Sequence, residues 1–234
     1  MPNSLLYSGL LMEILFPRAC VLCGRGLLGE PERRYPLCGD CEVSLPRIPG
    51  KRCPVCGKPL VSELGLCMRC RGRTFRFDSA YPLWEYAGGV KDLIISYKIG
   101  GMRPLAEFFA ATVHEHLRER HPETTVVPVP FRKAKIRKTG WDQVEELARL
   151  LQRRGIPVLR CLGRAEGVSQ KTLDYSARMT NLSGKIKLRG HPRIPVRVVL
   201  LDDVLTTGAT LSECSRVLKE GGAERVDAVV LAAD

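Results

Sequence analysis

The stretch VVLLDDVLTTGAT, residues 198–210, decides how the chain is read. Its apolar start is a buried strand, Asp202 and Asp203 follow, and Thr206, Thr207, Gly208, Ala209 and Thr210 lead into a segment with Leu211, Cys214, Val217 and Leu218 at helical spacing. Strand, acidic pair, turn and helix in that order put the polar residues at the carboxyl end of a parallel-sheet strand, where α/β proteins bind ligands. The first turn of the helix offers unpaired N–H groups and a positive dipole end, which favour a phosphate. Gly208 lets the backbone come close to it, and the threonine hydroxyls add donors. Carboxylates only accept hydrogen bonds, so Asp202 and Asp203 suit the vicinal hydroxyls of a sugar attached to that phosphate. A capped helix after an acidic turn would explain one threonine and one aspartate, not the whole set. The segment lacks the Gly-Lys-Ser/Thr of a Walker loop and the three glycines of a dinucleotide fingerprint.

Outward from this stretch, strand and helix signals alternate. YPLWEY (81–86), VVPVP (126–130), IPVL (156–159), VRVVLL (196–201) and RVDAVVLA (225–232) read as strands. Residues 104–117 carry Leu105, Phe108, Phe109, Val113 and Leu117 on one side. Residues 142–154 carry Val144, Leu147, Ala148 and Leu151 and stop at Gly155, while the last helix runs to Glu220 before Gly221 and Gly222. The polar run 163–193 shows little periodicity. This pattern predicts an α/β fold, a mainly parallel sheet flanked by helices, over residues 78–234, joined to a smaller module over 1–72. His114, His116, His121 and His191 are scattered, the first two accounted for by the exposed side of a helix, and none is assigned a catalytic role.

The smaller module is defined by its cysteines. Eight of the chain's ten form four C-x-x-C pairs: Cys20/Cys23, Cys38/Cys41, Cys53/Cys56 and Cys67/Cys70. Two intervening residues let both thiolates turn to one ion, and two such knuckles complete a tetrahedral four-cysteine site, so the module reads as a double zinc ribbon with two structural Zn2+ ions. The opening residues lack a basic start and a small-residue cleavage site, which argues against a secreted disulfide framework and for a cytoplasmic chain. No apolar run approaches the ~20 residues of a membrane span. Pairing of consecutive knuckles is favoured over a crossed arrangement, because each ribbon then closes the shorter loop and folds on its own metal. On that reading the module should unfold on chelation while the larger domain persists. Cys161 and Cys214 fall outside the pattern and read as core.

The formal charge of +12 invites an anionic partner. Each four-thiolate zinc site carries a net charge of minus two, which brings the total to about +8. The cations cluster at Arg132, Lys133, Lys135, Arg137 and Lys138, and again at Lys185, Lys187, Arg189, Arg193 and Arg197. The first cluster, with Trp141 beside it to stack a base, makes single-stranded DNA a candidate partner.

Residues 198–210 resemble the phosphoribosyl-pyrophosphate loop of type I phosphoribosyltransferases. The whole chain is similar to the ComF family, in LFPRACVLCG, LCGDC, RCPVCGKPL, the YKIGG around Lys98, VVPVPFRK, TGWDQVEELA and SQKTLDYSARMTNLSG. The resemblance implies that Asp202 and Asp203 bind ribose hydroxyls and that residues 206–210 bind the 5′-phosphate. It makes Lys98, Arg132, Lys133, Gln143, Gln170 and Arg178 candidates for the pyrophosphate or the flexible loop over it. It further implies Mg2+ arriving with the substrate, action on incoming single strands in natural transformation, and contacts with other proteins of the competence machinery. Where the family reads Arg-Gly-Phe-Asn-Gln, this chain has Thr139, Gly140, Trp141, Asp142 and Gln143, losing a positive charge and exchanging an amide for a carboxylate. Gln170, Arg178 and Asn181 match the family. Two functions are expected on these grounds: phosphoribosyl transfer to an acceptor such as a nucleobase, or non-catalytic binding of the sugar pyrophosphate or DNA.

Overall fold

The structure, a computed structural model, describes residues 18–27, 35–131, 136–137, 139–165 and 184–234. Its centre is a four-stranded sheet, every pair parallel, in the order β1-β6-β5-β2, with β1 Ser79–Glu85, β2 Thr125–Pro128, β5 Arg197–Leu205 and β6 Arg225–Ala233. The order is possible because each connection is a helical crossover: α3 (Gly88–Lys98) and α4 (Leu105–Arg120) after β1, α5 (Gln143–Arg153) after β2, α6 (Ala209–Glu220) between β5 and β6. Two short helices, α1 (Gly39–Val43) and α2 (Met68–Arg71), belong to the cysteine module. No helix among the described residues is long and apolar enough to cross a membrane.

Side-chain alternation along the central strands splits the core in two. Val199, Leu201, Val229 and Leu231 point to one face and meet α3, α4 and α5. Val198, Leu200, Val226, Ala228 and Val230 point to the other, covered by α6 through Leu211, Cys214, Val217 and Leu218. Both faces being covered is why these strands read as continuous apolar runs. Each fully buried Leu or Val contributes about 1.5–3 kcal/mol.

The cysteine module is built into this sheet. Cys20 and Cys38 join the first core, and Cys53, Cys56, Cys67 and Cys70 the second, so the two knuckle pairs straddle the β1 edge, one on each face. Ala80 N donates to Val55 O at 2.8 Å, Glu85 N to Pro46 O at 3.2 Å, and the Arg52 guanidinium to Pro82 O at 2.7 Å. These bonds occupy the outer edge of β1, which would otherwise expose unpaired groups.

Several elements depart from the sequence reading. β5 runs to Leu205 rather than Leu201, because β6 keeps pairing with it (Asp202 with Val230, Leu205 with Ala233), so the aspartates lie within the strand, near its carboxyl end. Residues 156–159 give one parallel bridge, Val158 to Val126, in place of a strand. The polar run contains β3 (Leu162–Arg164) paired antiparallel with β4 (Ile186–Leu188), a ladder too short to show a period. His116 is buried, 8% exposed, where the helix pattern suggested the solvent side. Its ring stacks on Tyr81 at 4.0 Å, and Tyr81 in turn holds the Arg52 guanidinium 4.2 Å from its centroid.

Candidate functional site

The two aspartates sit side by side but face opposite ways, as neighbours in a strand must. Asp203 turns to the α3/α5 face. Its Oδ2 accepts from Lys98 Nζ at 2.7 Å and from Gln143 Nε2 at 2.5 Å, while Oδ1 accepts from Val204 N at 2.7 Å. Lys98 ends α3 and Gln143 begins α5, so three elements are tied at one carboxylate. The Tyr97 hydroxyl strengthens the joint by donating to Gln143 O at 2.8 Å. Burial lowers the Lys98 pKa, but the attraction of Asp203 outweighs it and holds the ammonium above its ordinary value.

Asp202 turns to the α6 face. Among the described residues its carboxylate accepts from the Asp203 N–H alone, at 2.9 Å, and so keeps free acceptor capacity. Burial, and then the neighbouring Asp203 carboxylate, push its pKa up. An under-partnered acid of this kind gains most from a ligand hydroxyl or a cation.

Beyond β5, Thr206, Thr207, Gly208, Ala209 and Thr210 ring the start of α6. Gly208 is the N-cap and takes the left-handed conformation, φ +79°, in which Cβ-bearing residues are strained. Ala209 N donates to Thr207 Oγ1 at 3.3 Å. The back of the turn is held by the connector between the cysteine module and β1. A Cβ on Gly208 would lie 2.7 Å from Phe75 Cε1, Phe75 stacks on Phe77 at 4.8 Å, and Arg76 N donates to Ser212 Oγ at 3.0 Å. Sequence reasoning gave this connector no role, since two phenylalanines in a basic linker carry no periodic signal. The arrangement as a whole can bind a phosphate at the helix start and sugar hydroxyls at Asp202.

Trp141 and Asp142 have structural partners. Asp142 is 8% exposed and caps α5, its Oδ1 accepting from Val144 N at 3.0 Å and Glu145 N at 3.1 Å, a task open to asparagine as well. Trp141 packs edge-on against Tyr97 at 5.1 Å with Arg103 above its ring at 5.4 Å, so a base could stack on that face only after Arg103 moves. Arg137 is exposed. Arg132, Lys133, Lys135, Lys138, Gln170, Arg178 and Asn181 lie outside the described residues.

The eight cysteines gather as two sets in the sequential pairing, Cys20/Cys23/Cys38/Cys41 and Cys53/Cys56/Cys67/Cys70, with the sulfurs of each set within 4.8 Å of one another. A tetrahedral zinc with Zn–S bonds of about 2.3 Å requires sulfurs about 3.8 Å apart. Cys23 and Cys38 are 3.7 Å apart, and Cys56 and Cys67 3.6 Å. The electrostatics point the same way. Burial opposes ionisation of Cys20, yet the N–H groups of Cys23, Cys38 and Leu22 hold it down to about 6, and Cys53 is likewise held to about 7. Burial and then the neighbouring sulfurs push Cys41 and Cys70 far up. The first thiolates form readily, and a cation is needed before the rest can follow; the donor set fits Zn2+. Cys161 and Cys214 are buried apart from both sets.

Comparison with known proteins agrees with both halves. Residues 11–71 match the double zinc ribbon domain and residues 163–234 the phosphoribosyl transferase domain. The chain is 30% identical over 224 residues to competence protein ComFC of Streptococcus pneumoniae, covering 88% of this chain and 96% of that one. It is 28% identical to competence protein F of Haemophilus influenzae, covering 81% and 87%, and 26% identical to the DNA utilization protein YhgH of Escherichia coli, covering 90% and 94%.

Proposed function

The chain belongs to the ComF family of competence and DNA-utilization proteins, and from that premise we propose that it binds phosphoribosyl pyrophosphate and acts on single-stranded DNA during DNA uptake in the cytoplasm. The observation that carries the reading is the carboxylate of Asp202, with acceptor capacity to spare, on the strand that leads into the left-handed Gly208 turn at the head of α6. In this reading Asp202 takes a ribose hydroxyl, residues 206–210 take the 5′-phosphate, and Mg2+ comes with the pyrophosphate. Lys98 and Gln143 hold Asp203 and so fix the strand end on which Asp202 is presented. The reaction would be phosphoribosyl transfer, in which positioning and the departure of magnesium pyrophosphate supply the rate. A second reading, binding without turnover, is favoured by the engagement of Asp203 with Lys98 and Gln143, which leaves one carboxylate of the pair to the ligand.

Calorimetry of Mg2+ and phosphoribosyl pyrophosphate against the zinc-loaded protein tests the first half, with Asp202→Asn expected to weaken binding at least tenfold. No heat in the parent protein would refute it. Pyrophosphate release with a panel of bases separates transfer from binding alone. For DNA, the cluster at residues 132–138 should give single-strand binding whose log–log salt slope is near −0.7 per phosphate contact, flattened by about two units when Arg132, Lys133 and Lys135 become alanine. An unchanged slope would remove that cluster from the interface.

A further inference from the structure

The second cysteine set is assembled from two halves that reach the rest of the chain by different routes. Residues 53–57 are fastened to β1. Val55 O accepts from Ala80 N at 2.8 Å, and Gly57 lies so close to the strand that a Cβ on it would collide with Pro82 Cδ and Ala80 O. Residues 67–73 have no such tie. Among the described residues their backbone hydrogen bonds stay within the stretch, from Cys70 N and Arg71 N to Cys67 O and from Arg73 N to Cys70 O. The side-chain bond that reaches the sheet runs over the surface, from Arg69 to Asp234 O at 3.3 Å. Helix α2 is a single turn, too short to hold itself, and Leu66 adds only a partly buried apolar contact. The strong link between the halves is therefore a cation shared by Cys53 and Cys56 with Cys67 and Cys70, a set whose Cys56–Cys67 sulfur spacing of 3.6 Å fits Zn2+.

The chain leaves α2 at Gly72 and three residues later stands behind the phosphate-ready turn. Phe77 is 4% exposed and fills the core, whereas Phe75 is only half-buried, so core filling does not account for it. Its ring edge instead covers Gly208: Cε1, Cδ1 and Cζ lie 2.7, 3.2 and 3.5 Å from where a Cβ on that residue would be. Arg76 N donates to Ser212 Oγ in the first turn of α6 at 3.0 Å, and the connector ends where Asp78 N donates to Val226 O at 2.9 Å. A glycine turn without backing samples many conformations. A flat ring against it presets the N–H groups at the helix start and reduces the ordering that an anionic ligand must supply.

We infer that Phe75 is a positioning residue for the turn at 206–210 and couples it to the metal of the second cysteine set, so that zinc there and a phosphorylated sugar at the turn strengthen one another's binding. The inference rests on the proposed sugar-pyrophosphate reading of that turn. Linkage makes the effect reciprocal, and couplings between sites ordinarily run to about 5–150-fold. Cys20 and Cys38 of the first set pack in the core on the opposite face of the sheet, with α3 and α4, and that set stays outside the coupling.

Labelling of the full zinc-loaded chain with N-ethylmaleimide, followed by peptide mapping, reads the two sets separately, with and without Mg2+ and phosphoribosyl pyrophosphate. Calorimetry of the sugar pyrophosphate runs in parallel on the parent, Phe75→Ala and Phe75→Leu, with zinc content and melting temperature recorded for each. Bound ligand should slow labelling of Cys67 and Cys70 at least fivefold and change labelling of Cys23 and Cys41 less than twofold. Phe75→Ala should lose this protection and bind the sugar pyrophosphate at least fivefold more weakly with both zinc ions in place. Phe75→Leu, which keeps apolar bulk behind Gly208, should recover most of both. Sugar-pyrophosphate binding with no protection, or with equal protection of the two sets, overturns the coupling and leaves the proposed function standing. Protection that persists in Phe75→Ala, or an affinity that does not change, overturns the role of Phe75. Failure of the sugar pyrophosphate to bind the parent overturns the inference and the proposed function together. The labelling pattern of the parent decides the coupling by itself, so a Phe75→Ala chain that fails to fold does not shield it.

Discussion

Replacing His116 with phenylalanine should make the protein less sensitive to acid. The imidazole is buried under Tyr81, and its Nε2 is the buried side-chain polar atom without a partner among the described residues. Charged and titratable groups face it from every side: Arg52 from the cysteine module, Tyr81 from β1, Arg120 and His121 from the end of α4, and Asp227 from β6, 4.0 Å from His121. Burial first, then His121, Arg120 and Arg52, push the His116 pKa from 6.5 down to about 4. Because the folded value is depressed, the unfolded chain takes up the proton first as pH falls. The stability contribution is therefore full above about 6.5 and is lost on the way down to about 4. Between pH 7.5 and 5 linkage gives about 2 kcal/mol, which residual solvent contact at the ring edge lowers to about 1–2 kcal/mol. Phenylalanine keeps the stack on Tyr81 and has no proton to bind. The drop in melting temperature between pH 7.5 and 5 should therefore be about 2–8 °C smaller in His116→Phe than in the parent, at about 2–4 °C per kcal/mol for a chain of this size. Thiolate protonation and zinc loss at acid pH affect both proteins and cancel in the difference. Equal pH slopes for the two would show that His116 does not titrate as its burial requires.

Gly208→Ala adds a left-handed residue, which costs about 1–2 kcal/mol, and sets a methyl 2.7 Å from the Phe75 ring. It should weaken sugar-pyrophosphate binding at least tenfold, and pairing it with Phe75→Ala should relieve the clash of the methyl with the ring but not the backbone strain; thermal melts and calorimetry read the two effects separately. Asp203→Asn should cost about 1–3 kcal/mol of sugar-pyrophosphate binding, because Lys98 loses its counter-charge and the α3/α5 joint loosens; unchanged affinity in calorimetry would refute the role of that joint. Elemental analysis should find two zinc ions per chain. Chelation should lower the melting temperature of the whole protein rather than of residues 1–72 alone, since Val55 and Pro46 occupy the β1 edge; a sheet that melts at an unchanged temperature after metal removal would contradict this.

What the sequence determined by itself was whatever depends on local spacing. The C-x-x-C knuckles declared two four-sulfur sites because a ligand pair two residues apart has few other uses. The α6 stripe of Leu211, Cys214, Val217 and Leu218 and the cap-to-Gly155 span of α5 emerged because amphipathic helices repeat at 3.6 residues. Residues 198–210 told of a strand, an acidic pair and a phosphate-ready turn because the order of residue types follows the order of the backbone. Tertiary structure decided what those pieces meet. Lys98, Gln143 and Asp203 come from three elements and are joined only when α3 and α5 pack on one face of β5. The division of Asp202 from Asp203 depends on which face each helix covers. Phe75 behind Gly208, His116 beneath Tyr81 and the knuckles astride β1 are contacts between residues far apart in the chain, and no local period encodes them. Sequence spacing reports on neighbours along the backbone. Long-range partners are chosen by the packing of two covered sheet faces, which exists only once the chain has folded.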